Sequence, residues 1–173
     1  MPTPPTLPDA EQLLDRLVSR LRGAIGAETA LVGIHTGGVW VAERLHAALA
    51  LPTPLGTLDV AFYRDDFRQR GLKPDVRPSD LPFEIPGRDI VLVDDVLYTG
   101  RTVRAAVNLL FDYGRPGRVR LAALLDRGGR QLPIAAEWVG DVVDVPADRG
   151  MIVLVRDASG RLSLTMEEAG GGA

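Results

Sequence analysis

The stretch Ile90-Val91-Leu92-Val93-Asp94-Asp95-Val96-Leu97-Tyr98-Thr99-Gly100-Arg101-Thr102-Val103 constrains the chain more than any other. The apolar β-formers from Ile90 to Val93 do not alternate with polar residues, so they read as a strand buried on both faces, as in a parallel sheet. Two adjacent carboxylates, Asp94 and Asp95, follow at once. The chain then turns through Tyr98-Thr99-Gly100 into a helical stretch, Thr102 to Tyr113, whose apolar stripe is Val103, Val107, Leu110 and Phe111. A strand that enters a helix through a glycine turn leaves first-turn N–H groups pointing at one spot, and the helix dipole adds partial positive charge there. That spot suits a phosphate, to which the Thr99 and Thr102 hydroxyls can also donate. The carboxylates can accept from two neighbouring hydroxyls, as on a ribose. One stretch therefore has the chemistry to hold both ends of a ribose 5-phosphate.

The same design recurs upstream. Ala30 to Ile34 is a short apolar strand, followed by His35-Thr36-Gly37-Gly38 and a helix from about Val39 to Leu49 with Trp40, Val41, Leu45 and Leu49 facing the core. It is a second cradle of backbone amides for an anion. His46 lies inside that helix and reads as a satisfied, partly buried side chain. Ahead of it, Leu13, Leu14, Leu17, Val18, Leu21, Ala24 and Ile25 recur at helical spacing behind Asp9, a plausible N-cap with Gln12 three residues on.

Residues 1–8 are Pro-rich and read as an irregular arm. Thr57 to Tyr63 is β-favouring, and a long polar connection, 64–88, comes next. Val119 to Leu125 predicts another buried strand. Trp138-Val139, Val142-Val143 and Ile152 to Val155 are expected to continue the sheet edge. Arg161 to Met166 pairs with the last of these as a hairpin through Ala158-Ser159-Gly160, and residues 167–173 form a frayed tail. Buried strands alternating with helices predict an α/β fold: a doubly wound, mostly parallel sheet with helices on both faces. Its two glycine turns lie at the carboxyl ends of strands, where such sheets bind ligands.

Composition narrows the setting. At 173 residues, 46% hydrophobic and 25% charged, the chain fits one domain with a sizeable core. No apolar run approaches the roughly 20 residues that span a bilayer, and the start lacks the features of a signal peptide. There is no cysteine, hence neither a disulfide framework nor a thiolate metal site. A cytoplasmic location is the resulting expectation. The net charge of -3 gives no whole-molecule attraction to nucleic acid, although a local basic patch is compatible with it. Basic residues are almost all Arg, Lys73 being the only lysine.

Val91 to Val103 resembles the 5-phosphoribosyl 1-diphosphate (PRPP) signature of type I phosphoribosyltransferases. The wording Val-Asp-Asp-Val-Leu-Tyr-Thr-Gly-Arg-Thr is similar to that of the PyrR family, pyrimidine operon regulators that also act as uracil phosphoribosyltransferases. The resemblance implies a type I phosphoribosyltransferase fold with a small hood, and Mg²⁺ bound with PRPP, for which Asp95 is the candidate ligand. Asp94 and Asp95 are the implied catalytic carboxylates. Tyr63-Arg64-Asp65-Asp66 resembles the start of the family's mobile hood loop, and Arg64 is its implied catalytic arginine. His35, Thr36, Gly37 and Gly38 take the place of the family's pyrophosphate loop. Asp126-Arg127-Gly128-Gly129-Arg130-Gln131-Leu132-Pro133 resembles the family's Asp-Arg-Gly-x-Arg-x-Leu-Pro, which places Asp126, Arg127 and Gly128 in the wall that receives uracil. The implied partners are PRPP, uracil, UMP and UTP, with a pyr messenger-RNA leader and a homodimeric or homotetrameric assembly. Arg115, Arg118 and Arg130 are the candidate RNA face.

Departures from the patterns of relatives fall in three regions. The pyrophosphate loop ordinarily ends Thr-Arg-Gly, and here the arginine position is Gly37. An arginine there would offer bidentate bonds to a diphosphate, so the glycine reads as a deficit and Gly37→Arg as a gain in PRPP binding. Tyr98 stands where purine-specific relatives carry an aspartate as candidate proton acceptor. In the RNA-binding region Gly129, Ala135 and Asp141 replace polar or basic residues, which predicts weakened RNA contact. Besides uracil phosphoribosyl transfer with RNA regulation, two readings stay open: a nucleotide-sensing RNA-binding regulator with vestigial catalysis, and a phosphoribosyltransferase for another base.

Overall fold

The computed structural model describes residues 5–61 and 79–168. Five parallel strands form one sheet in the order β2-β1-β3-β4-β5. They are β1 (Ala30–Ile34), β2 (Gly56–Leu58), β3 (Asp89–Leu97), β4 (Arg118–Asp126) and β5 (Trp138–Val142). Helices α1 (Ala10–Leu21) and α2 (Gly37–Leu49) cover one face and α3 (Arg101–Tyr113) the other. The expected α/β architecture with helices on both faces is present.

The local chemistry expected from the sequence sets these elements. Asp9 Oδ1 caps α1 by accepting from Glu11 N at 2.8 Å and Gln12 N at 3.2 Å. Its apolar stripe, Leu13, Leu14, Leu17 and Leu21, is buried. All of β1 is buried, as are Ile90 to Asp94 of β3, which matches the reading of strands covered on both faces. His46 Nε2 lies 2.8 Å from the Thr53 carbonyl, so this histidine is satisfied within the fold.

Boundaries and edges depart from expectation in instructive places. β3 does not end at Val93 but continues through both carboxylates to Leu97, because β4 keeps pairing with it as far as Leu97↔Asp126. β1 pairs with β3 only to Gly33↔Val93. Beyond Val93 one side of β3 therefore lacks a neighbouring strand among the described residues. Of the stretch Thr57 to Tyr63, Thr57 and Leu58 lie in the short β2, and Phe62 and Tyr63 lie outside the described residues.

The expectation that Ile152 to Val155 continues the sheet edge is corrected. Only Trp138–Val142 does so. Met151–Arg156 (β6) pairs antiparallel with Leu162–Glu167 (β7) as a separate hairpin. Its inner residues Ile152, Leu154 and Leu162 join the core beneath α1, while outer ones are exposed. That half-buried alternation suits an antiparallel ribbon with one wet face, not a strand of a parallel sheet. The Leu162 N–H donates to Glu11 Oε1 at 2.8 Å, and Arg44 donates to Glu11 Oε2 at 2.6 Å, tying hairpin and α2 to the first turn of α1. The Arg44 hydrogen bond holds the Glu11 carboxyl below the usual glutamate range. Glu167, expected in the tail, is the last residue of β7.

Candidate active site

The sheet order places a switch point between β1 and β3. From β1 the chain steps outward through α2 to β2; from β3 it steps the other way through α3 to β4. Open α/β sheets bind ligands in the crevice at such a point, outside the carboxyl ends of the strands. Both glycine turns open there, so two helix N-termini flank the part of β3 that β1 leaves unpaired.

The phosphate turn, Thr99-Gly100-Arg101-Thr102, is held from outside. The Thr99 carbonyl accepts from Gln131 N at 2.9 Å and Leu132 N at 3.2 Å. Arg101 Nε donates to Gln131 Oε1 at 2.9 Å, and Gly100 packs against Ile134. Thr99 Oγ1 accepts from Arg101 N at 3.2 Å, which leaves its proton to donate elsewhere. The segment expected to wall the base thus also scaffolds the phosphate turn, a role its sequence did not disclose.

Asp94 is 5% exposed and accepts from the Asp95 N–H at 2.9 Å. Asp95 is half-buried; one oxygen accepts from Val96 N at 2.9 Å, and the other reaches the 35–38 loop. In that loop the His35–Thr36 peptide bond is cis, and His35 N donates to the Leu58 carbonyl at 2.9 Å. A Cβ on Gly37 would lie 2.1 Å from Asp95 Oδ2, and one on Gly38 would lie 2.5 Å from the Val93 carbonyl. The loop is therefore pressed against the acidic end of β3. Gly37 is no simple deficit: the absent side chain is what lets Asp95 stand where it does.

The 126–130 segment is arranged differently from the sequence reading. Asp126 Oδ1 accepts from Gly128 N at 2.9 Å and Oδ2 pairs with Arg130 at 2.6 Å. Arg127 is buried, its guanidinium turned to backbone carbonyls and to the ring of Tyr98. The structure brings residues 35–38, 94–102 and 126–130 to one end of the sheet. It does not gather Arg115, Arg118 and Arg130. The first two lie at the amino end of β4 and Arg130 beyond its carboxyl end, roughly 26 Å of strand away. Arg118 pairs with Asp89 at 3.0 Å. Arg64 and most of the hood segment lie outside the described residues. Among the described residues no three acidic or imidazole groups converge on a metal position, and no helix is long and apolar enough to cross a membrane.

Two helix N-termini and an acidic strand end at the switch point of a parallel sheet define a phosphoribosyltransferase: the chain belongs to the family of the phosphoribosyl transferase domain, whose model matches residues 6–149. Within it, the chain belongs to the PyrR family. It is 56% identical over 148 residues to the bifunctional protein PyrR of Pseudomonas paraeruginosa, covering 83% of this chain and 86% of that one. The bifunctional protein PyrR of Pseudomonas syringae pv. tomato is 54% identical over 139 residues, covering 78% and 82%. Among solved structures, a hypoxanthine-guanine phosphoribosyltransferase from Bacillus anthracis aligns with TM-score 0.64 at 20% identity over 81% of this chain and 84% of that one. Hypoxanthine phosphoribosyltransferase from Trypanosoma cruzi aligns with TM-score 0.62 at 22% identity over 82% and 81%. At those identities the structures speak for the fold alone.

Proposed function

We propose that this protein transfers the phosphoribosyl group of PRPP to uracil, giving UMP and pyrophosphate, and that it also serves as a pyrimidine-responsive regulator. The observation that carries the enzymatic reading is the unpaired end of β3, where Asp94 and Asp95 stand between two helix N-termini.

The ribose 5-phosphate seats on the amides of the 99–102 turn, with the Thr99 and Thr102 hydroxyls as further donors. The diphosphate seats on the 35–38 loop next door, since β1 and β3 are sheet neighbours. Asp94 and Asp95 accept from the ribose hydroxyls between them. Loss of pyrophosphate from C1 leaves an oxocarbenium-like sugar, whose positive charge these carboxylates stabilise, while backbone amides stabilise the departing anion. Fixing both phosphates orients C1, and such positioning is a large share of the barrier reduction. Asp95 Oδ2 at the mouth of the 35–38 loop fits Mg²⁺ arriving with its diphosphate, an ion that takes one or two carboxylates and fills its remaining positions with phosphate oxygens and water. Bound there, it would supply positive charge to the leaving group. Arg64, outside the described residues, is the arginine we assign to the leaving pyrophosphate.

The regulatory role rests on family membership. The dispersal of Arg115, Arg118 and Arg130 supports the weakened RNA contact expected from Gly129, Ala135 and Asp141. The deciding experiment is incubation of the full chain with uracil, PRPP and Mg²⁺. UMP formation that depends on all three supports the reading; its absence, or a clear preference for another base, overturns it.

A further inference from the structure

We propose that Arg127 is a positioning residue: it fixes the ring of Tyr98 as the wall against which the base is seated. In this fold a side chain added at Gly129 would press on that ring. The proposal rests on the phosphoribosyl-transfer reading given above and extends it to the side of the site that takes the base.

The chemistry of a displacement at C1 places the base. Leaving group and nucleophile occupy opposite faces of the ribose. The diphosphate cradle is carried by β1, on one side of β3; the opposite side belongs to β4 and the 126–130 segment. The base therefore enters from the β4 side. Tyr98 is the residue of the phosphate-turn stretch whose ring lies on that side.

Its support is unusual. Arg127 is 1% exposed, and among the described residues its charge is met by no carboxylate side chain but by carbonyls and a ring. Nη1 donates to the Gly150 carbonyl at 2.8 Å, and Nη2 reaches the carbonyls of Val145 at 3.3 Å and Pro146 at 3.4 Å. Its Nε is buried without a hydrogen-bond partner among the described residues. The guanidinium carbon sits 4.1 Å from the centre of the Tyr98 ring. Burying a cation in this way is costly, and what it provides here is an immobile platform for the ring. A Cβ on Gly129 would lie 2.4 Å from Tyr98 Cε2 and 2.9 Å from Cδ2. Gly129 also has φ +77°, which a side chain would strain. The Tyr98 carbonyl accepts from Arg130 Nη1, so backbone and ring are both pinned.

The two halves of the 126–134 segment divide the work. Gln131, Leu132 and Ile134 hold the phosphate turn; Arg127, Gly129 and Arg130 hold Tyr98. A loosened Tyr98 ring should therefore weaken uracil binding and leave PRPP binding nearly intact. A general loss of packing would spoil both.

The test is steady-state kinetics of the full chain with each substrate varied in turn. Arg127→Lys keeps the charge but loses the fork and the stack, and Tyr98→Leu removes the ring. Each is expected to raise the Michaelis constant for uracil about tenfold while that for PRPP stays within about twofold, and the double variant should be no worse than the worse single. Should Arg127→Lys fail to fold, Gly129→Ala carries the test, because it lies at an exposed position and pushes on the ring with Arg127 in place. It too should raise the uracil constant selectively. Parallel rises in both constants, additive single effects, or an unchanged uracil constant in Tyr98→Leu and Gly129→Ala would overturn the proposal alone. A wild-type protein that forms no UMP would overturn it together with the functional reading.

Discussion

Asp95 occupies the space that a side chain at position 37 would need: a Cβ on Gly37 would lie 2.1 Å from Asp95 Oδ2 and 2.6 Å from its Cγ. The glycine of the 35–38 loop and the carboxylate of β3 are thus one spatial unit, although they stand far apart along the chain. The other oxygen of Asp95, Oδ1, accepts from the Val96 N–H at 2.9 Å.

The first prediction follows directly and reverses the sequence-based expectation for Gly37→Arg. Both Gly37→Ala and Gly37→Arg should raise the Michaelis constant for PRPP and lower turnover, because each displaces Asp95. The loss of one charge-assisted hydrogen bond, worth about 1.5–3 kcal/mol, corresponds to roughly 10- to 100-fold. A lower constant in Gly37→Arg would show that the carboxylate moves aside at no cost.

Asp94→Asn and Asp95→Asn should each reduce UMP formation while the protein stays folded. Both remove negative charge from the site where the sugar becomes cationic. Thermal unfolding beside initial rates separates the two effects. Variants with wild-type rates would show that these carboxylates do not hold the ribose.

Stability should depend on Asp89 in a pH-dependent way. This carboxylate accepts from Arg118 and Arg120 on β4, directly across the pair Asp89↔Arg118, and from Thr29. Burial alone would raise its pKa, but the two arginines outweigh burial and the net shift is downward. A carboxyl with a lower pKa folded than unfolded stabilises above its unfolded pKa and loses that contribution as pH falls through the folded value. Asp89→Asn should therefore lower the melting temperature at neutral pH, by about 2–4 °C for each kcal/mol lost. The gap from wild type should close in acid, below the ordinary aspartate range. A gap independent of pH would place the effect in packing, not in charge.

RNA binding should be weak. Arg118 is paired with Asp89 and Arg130 with Asp126, and the two stand at opposite ends of β4. Filter binding of a hairpin leader with uridine nucleotide present, at near-physiological salt, should give a dissociation constant above the roughly 10 nM upper bound of specific nucleic-acid complexes. Tighter, sequence-selective binding would show that other residues build the RNA face.

The sequence by itself determined the elements and their chemistry. Unbroken apolar runs can be stable only between two covered faces, so Ala30–Ile34 and Ile90–Val93 announce parallel strands. Asp9 announces a helix start, and the glycine turns announce amide cradles, because these are local properties of neighbouring residues. What only the tertiary structure decided depends on residues far apart in the chain. β3 runs past Val93 because β4 continues to pair with it while β1 has already turned away. Ile152–Val155 leaves the sheet because β7 supplies its partner and α1 its cover. Gly37 is explained by Asp95, Arg127 by Tyr98 and by the carbonyls of Val145, Pro146 and Gly150, and the basic cluster is divided by the length of β4. Each is a contact across the fold, set by packing and pairing that no local pattern encodes.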